Sequence, residues 1–355
     1  MTALLFVAGL LLLVLGAELL VRGASRIALA AGISPLVVGL TVVAFGTGAP
    51  ELAVSVQSAL AGQAGLAFGN VVGSNIFNVL MVLGCSAIVV PLLASRQIIR
   101  QEVPVMVGIS LLLWALAFDG RLGRWEAAAL VAILIAYTVF VIRQSRRNQR
   151  HKRSSRTETG RTGPARWSLQ IALVAAGLAL LVVGARWLVD SAVVFAASLG
   201  MSKLVVGLTV VSAGTSLPEV ATSVVAALRG EREMAVGNVV GSNIFNILGV
   251  LGVSGLVSPT GLAVAPDVLG FGLLVMIGVS IACLPVFFTG RQIARWEGAL
   301  FVAYYGAYTL YLILEAGHHP AFGAYRTALV GFVLPLTMLT LVVVTLRDWR
   351  RGRRG

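Results

Sequence analysis

The chain has 355 residues, of which 58% are apolar before its 40 glycines are counted and only 12% are charged, with a net charge of +13. Soluble domains carry about 25% charged residues, so this composition excludes an ordinary soluble fold. At about 20 residues per membrane-spanning helix, the apolar residues suffice for ten or eleven spans, and we expect an all-α polytopic membrane protein.

Apolar runs bounded by charged residues, glycine or proline predict the individual spans. The first set covers residues 2–30, 34–61, 66–92, 101–118 and 125–142. The second set covers residues 168–199, 202–228, 234–258, 266–289 and 296–315, and one further run covers 327–346. No basic residue precedes the first run, so we interpret it as a span and not as a signal peptide.

The basic residues predict the orientation of the chain. Residues 144–166 form a polar, basic stretch containing glycine and proline, which we interpret as a disordered linker between the two sets. With the N-terminus outside, this linker, the C-terminal tail and the other cytoplasmic loops hold all but five of the 27 lysines and arginines. Membrane proteins accumulate basic residues on the cytoplasmic side, so the charge indicates topology in the cell membrane and not nucleic-acid binding.

The two sets of spans repeat each other at an offset of 168 residues. GLTVVAFGTGAPE at 39–51 aligns with GLTVVSAGTSLPE at 207–219, and GNVVGSNIFNVLMVLG at 69–84 aligns with GNVVGSNIFNILGVLG at 237–252. Because each set has five spans, an odd number, the second copy must enter the membrane from the opposite side. Such inverted repeats are typical of carriers that open a central site to either side in turn. The predicted division is a first five-helix repeat (1–143, motifs at 39–84), the linker (144–166), a second repeat (167–315, motifs at 207–252) and an extra helix with a basic tail (316–355).

Two carboxylates occupy the middle of predicted spans. Glu51 and Glu219 each follow a Gly-Thr-x-x-Pro sequence and have no basic residue in their own span. Proline interrupts a helix, and such interruptions are tolerated at membrane depth where they line a polar cavity. Ionised residues at this depth are costly and indicate function. Glu18 and Asp190 each have an arginine four residues away, so we predict ion pairs on the helix surface for them.

Neutral oxygen atoms accompany these carboxylates. The candidate oxygen ligands are Thr47, Ser74 and Asn78 in the first repeat and Thr215, Ser216, Ser242 and Asn246 in the second. We interpret the Ser and Asn side chains, at i and i+4 on one helix face, as ligands of a hard cation such as calcium, which binds six to eight oxygens. The alternative is that they hydrogen-bond across helices, and for Gly73 and Gly241 close helix packing is the favoured interpretation.

Other chemistries are not indicated. The two cysteines, Cys85 and Cys283, lie in apolar stretches, and no histidine or cysteine falls near the centre. A disulfide framework and a zinc, copper or iron site are therefore not expected. The sequence contains no nucleophile–base pair and no phosphate-binding glycine loop, so we expect no enzyme activity, no cofactor and no nucleotide.

These residues resemble the cation/calcium antiporters, specifically the sodium/calcium exchanger branch with its prokaryotic members. GTGAPE, GTSLPE and the two GNVVGSNIFN segments are similar to that family's paired alpha repeats. The resemblance implies ten transmembrane helices in two inverted five-helix halves, and the exchange of one calcium ion for three sodium ions. It implies that Glu51 and Glu219 bind both ions together with the Thr, Ser and Asn oxygens, and that the carbonyls of Ala44 and Ser212 complete the sodium sites.

The sequence departs from the family pattern in three places. Gly48 stands where many relatives have serine, which removes one hydroxyl ligand. Asn246 stands where some relatives, including potassium-dependent ones, have aspartate, which argues against potassium cotransport. The run at 327–346 has no place in a ten-helix core and predicts an eleventh helix. The linker is also too short for the cytosolic calcium-sensing domains of animal exchangers.

We therefore expect a secondary active antiporter that exchanges calcium for sodium by alternating access, with these two ions and the lipid bilayer as its partners. A proton/calcium antiporter of the same superfamily is the alternative, followed by a passive cation channel. An intramembrane hydrolase is the alternative from another class. Uphill flux driven by a sodium gradient separates an antiporter from a channel, and product formation reveals an enzyme.

Overall fold

The computed structural model describes residues 2–154, 167–198, 212–266, 268–288 and 291–335. The helices of the first repeat are α1 (Thr2–Ala31), α2 (Pro35–Thr47), α3 (Ala49–Leu60), α4 (Ala64–Val89), α5 (Ile98–Leu116) and α6 (Arg124–Ser154). The helices of the second repeat are α7 (Trp167–Ser198), α8 (Ser212–Gly214), α9 (Leu217–Leu228), α10 (Arg232–Val257), α11 (Val268–Phe288) and α12 (Arg295–Ala316). After them comes α13 (Phe322–Ala328), continued by a π-helical turn at Leu329–Val333.

Local sequence explains the first helix boundary. The chain after α1 turns at Gly32, whose φ of 64° favours glycine. Ser34 then caps α2, because its hydroxyl accepts a hydrogen bond from the backbone N–H of Val37 at 3.4 Å. Pro35 occupies the first position of α2, where its missing N–H costs nothing.

The predicted spans are found where the structure describes them. Eight helices of the described residues are long and apolar enough to cross a membrane, and the bent pair of α2 and α3 provides a ninth span. The predicted span at 202–228 is described only from Ser212, so its first half lies outside the described residues. Helix α13 begins at Phe322, before the predicted start at 327, and the part of that run beyond 335 lies outside them as well. The all-α polytopic fold is confirmed.

The prediction of a disordered linker from residue 144 is wrong for its first part. Helix α6 continues to Ser154, which agrees with the good helix propensity of Arg, Gln and Lys. Tertiary contacts hold the start of this extension. The side chains of Gln144 and Gln101 exchange hydrogen bonds of 2.9 Å, and the Ser145 hydroxyl accepts one of 2.8 Å from the backbone N–H of Ser34. Residues 155–166 lie outside the described residues.

Two short strand pairs join the repeats symmetrically. The strands are β1 (Leu92–Leu93), β2 (Arg121–Leu122), β3 (Leu262–Ala263) and β4 (Gln292–Ile293). Strand β1 pairs antiparallel with β4, and β2 pairs antiparallel with β3. Each pair links the loop after the third span of one repeat to the loop after the fourth span of the other. Both loops of each pair are predicted on the same side of the membrane, so the pairing agrees with inverted repeats.

Helices α4 and α10, which carry the two GNVVGSNIFN segments, form the centre of the bundle. In an apolar stretch of 18 residues, 89% of α10 is buried inside the protein, against 11% for the corresponding stretch of α12 on the outside. Both central helices contain a π-helical turn at the matching positions Asn78–Leu83 and Asn246–Leu251. Such turns interrupt regular helical hydrogen bonding and are frequent at functional sites.

Candidate functional site

The two candidate carboxylates lie directly after breaks in their helices. The axes of α2 and α3 differ by 47°. Gly48, between them, has a φ of −76° and a ψ of 3°, and Pro50 has no N–H to donate to the preceding turn. Glu51 therefore lies in the first turn of α3, and Glu219 lies in the first turn of α9 after an equivalent proline. The positive end of the helix dipole stabilises a carboxylate in this position.

Both carboxylates are buried and close to each other. Glu51 and Glu219 are each 1% exposed, and their charges repel each other. Ser216 Oγ donates a hydrogen bond of 2.9 Å to Glu51 Oε1. The Oε2 atoms of both glutamates have no hydrogen-bond partner. Unpaired oxygens of buried carboxylates are costly, so this pair of side chains is suited to a bound cation.

A third buried carboxylate shows the contrast. Glu102 is fully buried, but the Tyr137 hydroxyl donates to its Oε2 at 2.6 Å and Gln97 Nε2 donates to its Oε1 at 2.8 Å. Protein groups thus satisfy both oxygens of Glu102. Among the described residues, neither Glu51 nor Glu219 forms an ion pair, so nothing there compensates the charge of these two glutamates.

Five of the seven hydroxyl and amide ligands that the sequence predicts also have a side-chain oxygen without a hydrogen-bond partner. Atoms that make no hydrogen bond include side-chain oxygens of Ser74, Asn78, Thr215, Ser242 and Asn246. Each unpaired buried polar group costs about 1–3 kcal/mol. A hard cation takes oxygen ligands and can remove this cost. These residues lie on α4, α10 and the segment before α9, and those elements pack against one another.

The remaining predicted ligands are placed less uniformly. Thr47 Oγ1 donates to Asn238 Oδ1 at 3.4 Å. The carbonyl of Ala44 accepts a hydrogen bond of 3.0 Å from the backbone N–H of Gly48, and a carbonyl oxygen has a second lone pair for an ion. Ser212 is the first residue of α8, and its side chain lies outside the described part of the structure.

Two asparagine–serine pairs were missed by the sequence reasoning. Asn70 Nδ2 donates to Ser55 Oγ at 3.0 Å, and Asn238 Nδ2 donates to Ser223 Oγ at 2.9 Å. These bonds tie α4 to α3 and α10 to α9, so each central helix holds the helix that carries a glutamate. The repeat offset of 168 residues relates both pairs, and this duplication of polar residues in apolar helices is the signal that could have found them.

Of the two ion pairs predicted on helix surfaces, the described residues contain the one of Glu18 and not the one of Asp190. Glu18 pairs with Arg22 as predicted and also with Arg229 of the segment after α9. Asp190 forms no ion pair with Arg186 among the described residues, and both side chains are exposed. A basic residue that precedes its acidic partner at i, i+4 is the weaker order on a helix, which explains the difference.

The space beside Gly48 is too small for the serine side chain that many relatives have at this position. A Cβ atom at this position would lie 2.9 Å from Phe245 Cδ1 and 3.0 Å from the Ala44 carbonyl oxygen. Phe245 in turn stacks on Phe45 with ring centroids 4.6 Å apart. The stacked rings occupy the space that a larger residue at position 48 needs.

We predict that Gly48→Ser destabilises the protein and does not improve ion binding. Overpacking of this kind costs about 1–3 kcal/mol, and a side chain at position 48 requires the Phe245 ring to move. Thermal unfolding of the purified protein, with and without calcium, measures both effects. Adding Phe245→Leu to Gly48→Ser should recover stability, with Phe245→Leu alone as the control. A single Gly48→Ser variant as stable as the wild type would contradict the steric argument.

The fold and the pocket together define the class of this protein. Two repeats of opposite orientation enclose buried carboxylates and unpartnered oxygens at their interface, which is the architecture of a multi-pass membrane transporter. The family model for sodium/calcium exchanger proteins matches residues 1–143 and 169–314. The chain therefore belongs to the sodium/calcium exchanger family.

Individual relatives agree with this assignment. The chain is 34% identical over 338 residues to the sodium/calcium exchanger MaX1 of Methanosarcina acetivorans, covering 86% of this chain and 96% of MaX1. It is 36% identical over 253 residues to the putative antiporter CaxA of Alkalimonas amylolytica, covering 71% of this chain and 79% of CaxA. A structure of the sodium-calcium exchanger NCX_Mj superposes with a TM-score of 0.72 at 31% identity, covering 85% of this chain and 95% of NCX_Mj. Two of these relatives are named as sodium/calcium exchangers and the third as a putative antiporter.

Proposed function

We propose that this protein exchanges calcium for sodium across the cell membrane by alternating access, and that both ions bind at Glu51 and Glu219. The observation that carries the proposal is the pair of buried carboxylates, each with one oxygen that has no partner. The proposed ligands are completed by side-chain oxygens of Thr47, Ser74, Asn78, Thr215, Ser216, Ser242 and Asn246 and by the carbonyls of Ala44 and Ser212.

Charge and ligand type support calcium as one of the ions. Two ionised glutamates carry the charge that one divalent cation neutralises. Calcium accepts six to eight oxygen ligands in flexible geometry, whereas magnesium demands a near-ideal octahedron and retains its water. The pocket offers oxygens from two carboxylates, several hydroxyls and two amides, which suits the larger ion.

Sodium as the coupling ion is supported by the relatives and not by the geometry alone. MaX1 is a sodium/calcium exchanger, and NCX_Mj is a sodium-calcium exchanger. A proton-coupled carrier is the competing proposal within the same superfamily. Protonation of the two glutamates would serve that carrier, so only transport measurements separate the two.

Calcium uptake into proteoliposomes tests the proposal. Vesicles loaded with sodium should accumulate ⁴⁵Ca²⁺ against its gradient when diluted into sodium-free medium. Vesicles with equal sodium on both sides and an imposed proton gradient should not. Uptake driven by the proton gradient alone would replace sodium with protons, and flux that only runs downhill would indicate a channel.

The proposed orientation places the N-terminus outside and the linker and basic tail in the cytoplasm. Extra basic residues on one side support it. The strand pairs β1–β4 and β2–β3 are consistent with it, because each joins loops assigned to one side. Labelling of single cysteines with a membrane-impermeant maleimide in intact cells and in inverted vesicles decides the orientation.

We expect exchange to be independent of potassium. Asn246 offers one neutral amide oxygen and no further negative charge to hold an additional monovalent cation. Rates of sodium-driven calcium uptake with potassium or with choline, at the same clamped membrane potential, should agree. Asn246→Asp provides the comparison, since it adds a carboxylate at this position. A strict potassium requirement in the wild type would contradict the role given to Asn246.

A further inference from the structure

A pair of buried asparagines outside the proposed ligand set joins α4 to α10. Asn75 and Asn243 occupy matching positions in the two repeats, and each is 1% exposed. The Asn75 side-chain nitrogen donates to the backbone carbonyl of Asn243 at 3.3 Å, and the Asn243 side-chain nitrogen donates to the backbone carbonyl of Asn75 at 3.3 Å. This reciprocity places the pair on the pseudo-two-fold axis.

The surroundings fix the direction of both amides. Asn75 Nδ2 lies 3.5 Å from the Met276 sulfur, and Asn243 Nδ2 lies 3.6 Å from the Met106 sulfur. Backbone carbonyls and thioether sulfurs accept hydrogen bonds and donate none. The NH₂ groups must therefore face them, and each amide oxygen points the other way.

The side-chain oxygen of Asn75 orients Asn246, one of the proposed ion ligands. Asn75 Oδ1 accepts a hydrogen bond of 3.1 Å from Asn246 Nδ2. The opposite end of that amide, Asn246 Oδ1, has no hydrogen-bond partner. A cation binds the oxygen of an amide and is repelled by its NH₂ group, so the orientation that Asn75 imposes is the one that can bind an ion.

The equivalent bond is not formed in the other half. Asn243 Oδ1 and both polar atoms of the Asn78 side chain have no hydrogen-bond partner. Both halves read GSNIFN at this place, so the difference lies in conformation and not in residue type. In a carrier with inverted repeats, the two halves exchange conformations when access switches from one side to the other.

We propose that Asn75 is a positioning residue that turns the Asn246 oxygen toward the ion in one access state, and that Asn243 does the same for Asn78 in the other state. One of the two bonds is then formed in each state. The arrangements of the site in the two access states are related by the pseudo-two-fold axis. This inference rests on the proposed function, because it needs a cation at the central site and two access states.

The first experiment tests positioning through Asn246. Asn75→Leu removes the acceptor, and calorimetry on the purified full-length protein should show calcium affinity lowered by about 10–100-fold, as for other residues that orient metal ligands. In an Asn246→Asp background both ends of the side chain are oxygens and no orientation has to be chosen. There Asn75 Oδ1 faces a carboxylate oxygen that donates no hydrogen bond, so Asn75→Leu should not lower calcium affinity, whereas equal losses in both backgrounds would overturn the inference.

Controls keep folding and function separate. Size-exclusion chromatography and thermal unfolding check each variant, and Asn75→Ala enters the same comparison if Asn75→Leu is not monodisperse. A wild-type protein that binds no calcium in this assay would overturn the proposed function and this inference with it. A wild type that binds calcium, with equal losses in the two backgrounds, would overturn the inference alone.

The second experiment tests the exchange of the two bonds. Asn75→Leu and Asn243→Leu should each raise the KM for calcium mainly on one side of the membrane, and on opposite sides for the two variants. Calcium uptake into right-side-out and inverted vesicles gives the two KM values. A purely structural role would raise both values together or lower the maximal rate alone. Effects on the same side for both variants would overturn the exchange.

Discussion

Sodium-driven calcium uptake is expected to fall to background in Glu51→Gln and in Glu219→Gln. Each substitution preserves the shape of the side chain and removes one of the two central negative charges. Removing one partner of a buried charge pair costs about 3–5 kcal/mol, which corresponds to a loss of roughly 10²- to 4 × 10³-fold in affinity for a divalent ion. Uptake of ⁴⁵Ca²⁺ into proteoliposomes and calorimetric calcium binding measure the two consequences.

Glu102→Gln is the matched control for these variants. Glu102 is as deeply buried, but Tyr137 and Gln97 satisfy its oxygens. Its replacement should lower thermal stability while calcium affinity stays near the wild-type value. Substantial calcium uptake by a well-folded Glu51→Gln or Glu219→Gln protein would remove that residue from the proposed ligand set.

The two glutamates are not equivalent in their neutral partners. Ser216 donates to Glu51, but the matching position in the first repeat is Gly48, which has no hydroxyl to donate to Glu219. Phe245 fills the space beside Gly48. The site is therefore asymmetric in chemistry as well as in conformation, although α4 and α10 have matching bounds in the two repeats.

The architecture could be predicted from sequence because two motif pairs repeat closely at one offset. Two motif pairs at one offset and an odd number of spans leave inverted orientation as the only arrangement. The cross-paired strands β1–β4 and β2–β3 show the same symmetry. The burial of Glu51 and Glu219 also followed from local information, since both lie in apolar spans beside a helix-breaking proline.

Features that depend on contacts between the halves could not be predicted in this way. Charge and composition at 144–154 resemble a flexible linker, but α6 continues to Ser154 and is held at the start of this stretch by contacts from Gln144 and Ser145. The missing hydroxyl at Gly48 is visible in the sequence, whereas the ring of Phe245 against it is not. Asn75 is visible in the repeated sequence motif, but its hydrogen-bond partners Asn243 and Asn246 belong to the other repeat.

Exchange is expected to be electrogenic, and the expectation follows from counting charges in the pocket. Under the proposed function two ionised glutamates neutralise one calcium ion, so the calcium-loaded carrier would have a site with no net charge, which is the state of low cost in a medium of low dielectric constant. Three sodium ions in place of calcium, as the family resemblance implies, leave one positive charge. Asn78 and Asn246 are neutral and cannot balance it.

Each cycle should therefore move one net charge and respond to the membrane potential, at about 2.3 kcal/mol per charge per 100 mV. With valinomycin and potassium setting the potential, sodium-driven calcium transport should differ between inside-negative and inside-positive vesicles. Transport rates that do not depend on the membrane potential would have one of two explanations. Either two sodium ions exchange for each calcium ion, or the slow step is the conformational change of the neutral, calcium-loaded carrier. The reversal potential at known gradients separates these two explanations, because it depends on the ratio of ions exchanged and not on which step is slow.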